Sequence, residues 1–142
     1  MSYNKLRNLV EDINARVLTI ESSGTSAQVG QVLVVTNNGS TGYDTISAAM
    51  SGSTSGDVVF IGAGTYAESF EVPAGVIVKG NTAPRDVIIT GASAEETICV
   101  LNAGSTIREV SFQVPTSDHG AVLFSGSAGQ TGICIDNVFL GS

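Results

Sequence analysis

Residues 58–80 read VVFIGAGTYAESFEVPAGVIVKG, and this stretch decides the fold class. It places three short β-rich runs, Val58 to Ile61, Phe70 to Val72 and Val76 to Val78, between glycine-marked turns, and none of them has helical spacing. The same texture continues to the end of the chain in Val87 to Ile89, Ile98 to Leu101, Thr106 to Val114, Ala121 to Phe124, Ile133 to Ile135 and Val138 to Leu140. Runs begin at Val58, Val76, Ile98 and Ala121 at a near-regular step, with a second strand inside most steps. Such a step is what stacked coils of a solenoid produce, so the body is expected to be all-β, a short parallel β-helix of about four coils. A closed sandwich with turns every 8–12 residues fits the strand density as well.

Upstream of these runs, Thr45-Ile46-Ser47-Ala48-Ala49-Met50 reads as a short helix with Asp44 or Thr45 as its N-cap and Ile46, Ala49 and Met50 on one side, suited to plugging an open end. Residues 22–44 are rich in Ser, Gly, Thr and Asn around the apolar run Val32 to Val35, with Asn38-Gly39 as a turn signal, and read as a neck carrying one strand.

The segment from Met1 to Glu21 obeys a different period. Tyr3, Leu6, Val10, Ile13, Val17 and Ile20 are spaced alternately by three and four, so Tyr3, Val10 and Val17 occupy heptad position a and Leu6, Ile13 and Ile20 position d. Ordering about 20 residues costs roughly 1–2 kcal/mol each, whereas burying each large apolar side chain returns about 1.5–3 kcal/mol, so a solitary helix does not hold this stripe in water. Isoleucine at two of the three d positions shifts the preference from two strands towards three, and a homotrimer with these six residues as its interface is expected. Arg16 at g and the following Glu21 at e can pair between chains and favour a parallel register. Leu9 and Leu18 lie off the seam and leave room for the other reading, an amphipathic helix folded on its own domain. The expected organisation is therefore a coiled-coil helix at 1–21, a neck at 22–44 and a β-helix body at 45–142.

Charge and composition narrow the function classes. Of six basic and thirteen acidic residues, three and two fall within residues 1–20, which leaves three bases and eleven acids, a net −8, for the rest. Nucleic-acid binding draws on clustered Lys and Arg, and only Lys79, Arg85 and Arg108 are available there. No run approaches 18 apolar residues and the N-terminal segment is polar-interrupted, so neither a membrane span nor a signal peptide is expected. Cys99 and Cys134, each between β-branched residues, read as reduced apolar filler, and no CxxC or Cys/His cluster suggests a metal. No cofactor is expected, since Gly62-Ala63-Gly64 lacks both the third glycine and the helix of a nucleotide-binding loop.

Gly64-Thr65-Tyr66-Ala67-Glu68, Phe70 through Gly80, Asp86 through Gly91 and Ile107 through Phe112 resemble the opening coils of right-handed β-helix proteins of the pectin lyase-like superfamily, and Tyr43 through Met50 resembles the short helix that commonly precedes them. An N-terminal coiled coil, a Gly/Ser-rich neck and a β-helix are together similar in organisation to trimeric fibre, tailspike and decoration proteins of bacteriophage virions. That resemblance implies a virion protein assembled in the host cytoplasm, whose partners are copies of itself, other capsid or tail proteins and a host surface glycan. Gly64-x-Tyr66-x-Glu68 is also similar to the GxYxE element of pectin methylesterases, but the later motifs that carry aspartates and arginine in that family have no counterpart here. A supporting role for Tyr66 and Glu68 is therefore expected.

Glycoside hydrolysis needs two carboxylates about 5–9.5 Å apart across a cleft. Asp118, Asp136, Glu109 and the Glu95-Glu96 pair are the candidates, with Arg108 and Glu109 expected to point outward and His119 expected in a solvated turn. No tryptophan is present to stack sugars, and four short coils offer little flank for an oligosaccharide. The sequence therefore favours a non-enzymatic structural virion protein, with a polysaccharide-binding or polysaccharide-cleaving module as the alternative.

Overall fold

The computed structural model describes residues 30–38, 42–93, 97–114, 120–126 and 132–140. The heptad seam, Tyr3, Leu6, Val10, Ile13, Val17 and Ile20, lies outside them.

The described chain is a parallel β-solenoid of three sheets. Sheet A contains β1 (Val32–Val35), β2 (Val58–Ile61), β5 (Ile77–Gly80), β8 (Thr106–Arg108) and β11 (Ile133–Ile135) in that order. Sheet B stacks β3 (Gly64–Tyr66), β6 (Val87–Ile89), β9 (Ser111–Gln113) and β12 (Val138–Leu140), and sheet C stacks β4 (Phe70–Val72), β7 (Cys99–Leu101) and β10 (Val122–Phe124). Every pairing among these strands is parallel. Successive coils are β2-β3-β4, β5-β6-β7 and β8-β9-β10, and β11-β12 begin a fourth. The parallel β-helix expected from the sequence, and not the sandwich, is what forms.

The coil step differs from the one read off the sequence. Val58 registers with Ile77, Ile77 with Thr106 and Thr106 with Ile133, so the first step of sheet A is much shorter than the two that follow. The runs at Ile98 and Ala121 register instead with each other in sheet C, Cys99 opposite Val122. Each coil holds three strands, and the loops between them vary in length because they lie outside the stack, where an insertion costs little.

Alternation builds the core. In sheet A the inward column is Leu33, Val59, Val78 and Ile107, all buried, and ends at half-buried Cys134. Sheet B contributes Tyr66, Ile89 and Phe112, and sheet C contributes Phe70 and Cys99 beside Val72 and Leu101. Stacking places like on like, and no coil could bury these side chains without its neighbours.

The helix α1 (Ile46–Gly52) closes the first coil. Thr45 is its N-cap, its hydroxyl accepting from the Ala48 N–H at 3.1 Å, and Ile46, Ala49 and Met50 are buried where the helix meets β4, β1 and β2. The strand expected at Val32 to Val35 is β1, the edge of sheet A, which extends this sheet one rung beyond the others.

Asp57 ties that first rung down. Asp57 is a buried residue, and its carboxylate accepts from the Gln31 N–H and the Thr54 N–H, both at 2.7 Å, and from the Thr54 hydroxyl at 3.1 Å. The backbone hydrogen bonds, Thr54 first and Gln31 second, hold its pKa below the ordinary 3.8 against the opposing pull of burial. A depressed folded-state pKa gives stability that is complete above the unfolded value and lost as pH falls through the folded one. Acid unfolding is thus expected to set in below about pH 4, and Asp57→Asn to flatten that limb while lowering the melting temperature at pH 7. An unchanged acid limb in the Asn variant, followed by circular dichroism, would contradict this assignment.

Candidate functional site

The GxYxE element is a clasp. Gly64, Tyr66 and Glu68 lie on and just after β3. The Tyr66 hydroxyl donates to the Gly62 carbonyl at 3.0 Å, closing the corner between sheets A and B. Burial first, and the Glu68 charge second, push this phenol above its ordinary pKa, so it remains a donor. Glu68 reaches the N-terminus of α1: one carboxylate oxygen accepts from the Ile46 N–H at 3.1 Å, the other from the Ser47 N–H and hydroxyl at 3.0 Å each. A carboxylate over otherwise unsatisfied N–H groups is the favourable charge for that end of a helix. Glu68→Ala is expected to cost about 1–2 kcal/mol in urea unfolding, within the range for loss of a helix cap. Glu68→Gln should recover part of it, because an amide oxygen still accepts.

A second polar cluster marks the next corner. Glu109 and Asp136 follow β8 and β11 at equivalent places on consecutive coils, and both adopt left-handed backbone, with φ of 59° and 53°. Gly80 holds the matching place one coil earlier, where a Cβ would collide with the Glu109 carbonyl oxygen, so the tight stack selects glycine there. Partial withdrawal from water pushes the Glu109 carboxyl up, but hydrogen bonds and charge from Arg108 and Lys79 outweigh it and hold the pKa below normal. Arg108 donates at 2.9 Å and the Lys79 ammonium lies at 3.3 Å. A general acid needs the opposite shift. Beyond the corner, the Asn137 amide accepts from the Val110 N–H at 3.1 Å and donates to the Ile107 carbonyl at 3.0 Å, linking the last coil to the third.

Of the candidate acids, Asp118, Glu95 and Glu96 lie outside the described residues, as does His119. Glu109 and Asp136 are brought to one corner, and Arg108 and Glu109 face outward as expected. Cys99 and Cys134 are free thiols. Burial, reinforced by Cys134, raises the Cys99 pKa strongly, which keeps it an inert thiol. Among the described residues, no three His, Cys, Asp or Glu side chains gather as a metal would require, and no helix is long and apolar enough to cross a membrane.

A groove of about 760 Å³ lies between α1 and sheet C. Ser47 and Ser51 of the helix face Ser69, Glu71, Asn102 and Ser125, above the buried Met50 and Phe70. The Asn102 amide donates to the Glu71 carboxylate at 2.6 Å and to the Val72 carbonyl at 3.1 Å, fixing the centre of the wall. Sequence reasoning does not find this groove. Glu71, polar between buried Phe70 and Val72, is its one local signal, since a strand that alternates must turn such a residue outward. No family model matches this chain, and no curated protein or solved structure matches it either.

Proposed function

We propose that this chain is a structural virion protein of a bacteriophage, a homotrimeric fibre, head-decoration or tail-adaptor component that acts by assembly and attachment. The observation that carries the reading is the apolar heptad stripe from Tyr3 to Ile20, followed after a Gly/Ser-rich neck by a parallel β-solenoid. The use of its acids supports the same view: Glu68 caps a helix, Asp57 holds the first rung and Glu109 is neutralised by two cations. Three copies on a common axis would bind a symmetric site on a capsid or tail with avidity gained from linkage alone. Sedimentation of the purified chain at micromolar concentration is expected to give a trimer, and imaging of intact particles to find it on capsid or tail. A monodisperse monomer would refute the proposal.

The groove beside α1 favours a second reading, a polysaccharide-binding or polysaccharide-cleaving tailspike-like module. Its serine, asparagine and glutamate walls offer donors and acceptors suited to sugar hydroxyls. Release of reducing ends from host surface glycan tests the cleaving form, and loss of glycan binding in Glu71→Ala/Asn102→Ala, whose side chains line the groove, tests the binding form; Asp136, at the corner after β11, does not line it.

A further inference from the structure

Of the eight large exposed apolar side chains among the described residues, five stand on the outer face of sheet A: Val32, Val34, Ile77, Ile133 and Ile135. They fall in two adjacent outward columns. One runs Val32, Val58, Ile77, Thr106, Ile133; the other runs Val34, Phe60, Lys79, Arg108, Ile135. An outward column in a solvated sheet ordinarily reads polar, and a cluster of apolar side chains on one face marks a surface that leaves water. We propose that the outer face of sheet A packs against the same face of sister copies, so that the bodies associate side by side along the axis set by the heptad seam. The proposal rests on the trimeric assembly put forward above.

Three observations select a second copy as the occupant. The segment that carries the heptad stripe ends at Ile20, ten residues ahead of Gly30, where the described chain begins two residues before β1, the edge strand of this sheet. A parallel bundle of those segments would deliver every β1, and sheet A with it, next to the common axis. Charge agrees: in a body of net −8, this face holds Lys79 and Arg108, both paired with Glu109, so copies meet here without setting acid against acid. Area explains why the seam is needed as well. Five strands about 4.8 Å apart and about 13 Å long make a face of roughly 300 Å², well below the roughly 800 Å² per partner of a stable standard interface. The face adds to an association that the seam initiates.

The test uses the full chain in four forms: wild type, Ile13→Asp/Val17→Asp, Ile77→Lys/Ile133→Lys, and Leu123→Lys as an exposed apolar control on sheet C. Carbene footprinting is expected to label Ile77, Ile133 and Ile135 about threefold less in wild type than in the seam variant, because burial between chains excludes the probe. Sedimentation is expected to show Ile77→Lys/Ile133→Lys dissociating at concentrations at least about tenfold higher than wild type, since each symmetric contact acquires unpaired charge, while Leu123→Lys is unchanged. A monomeric wild type would remove the trimeric reading and this inference together. An oligomeric wild type whose sheet A face labels as strongly as in the dissociated seam variant would overturn this inference alone, as would protection that persists in the monomer. If the lysine variant fails to fold by circular dichroism, the footprinting comparison decides.

Discussion

Replacement of Ile13 and Val17 together by aspartate is expected to convert the proposed trimer to a monomer throughout the micromolar range. Each chain loses one a and one d side chain, six in the assembly, and burial of a large apolar side chain is worth about 1.5–3 kcal/mol, so roughly 9–18 kcal/mol of association is forfeited. Six carboxylates brought together on one axis add repulsion and desolvation to that loss. The solenoid is expected to keep its far-UV spectrum and most of its melting temperature, because its described core is built from Leu33 onward. Sedimentation equilibrium reads the result directly. A variant that still sediments as the wild type does would refute the seam, and with it the assembly on which the functional proposal stands.

Truncation of Phe112 to alanine is the largest single-residue loss expected in the body. Phe112 is fully buried in the sheet B column between Ile89 and Phe139, and its ring stacks on that of Phe139 with centroids 5.6 Å apart and planes 17° apart. Removing a buried phenylalanine costs about 3–5 kcal/mol when the surroundings cannot collapse into the space. Collapse is resisted here, because the neighbours above and below are fixed by the ladder spacing of the coils. Against a total stability of about 5–15 kcal/mol for a domain, the variant loses roughly a fifth or more, which corresponds to a fall in melting temperature of roughly 10–25 °C. Phe139→Ala should cost visibly less, since Phe139 is 56% exposed in the last described coil. Equal losses at the two positions, by calorimetry, would contradict the described column.

The solenoid is legible in the sequence because the signals that specify it are local. Short alternating runs broken by glycine exclude helices, and the stretch from Thr45 to Met50 carries both the cap and the buried face of α1. The coil step is not legible, for the converse reason. Nothing in the run beginning at Ile98 distinguishes a sheet C strand from a sheet A strand, because both alternate in the same way and only register between coils tells them apart. The candidate acids show the same limit. Glu109 and Asp136 are distant in the chain and share a corner only because β8 and β11 pair.

The sequence by itself determined the all-β class, the position of the capping helix, the short glycine-broken β runs and the heptad stripe, since each follows from the pattern of residues close in the chain. Only the tertiary structure decided that three strands make a coil, that Glu68 reaches back to cap α1, that Lys79 meets Glu109 of the next coil, and that five exposed apolar side chains share one face. These depend on which coil lies above which, and parallel stacking sets that through contacts between residues that no local pattern relates.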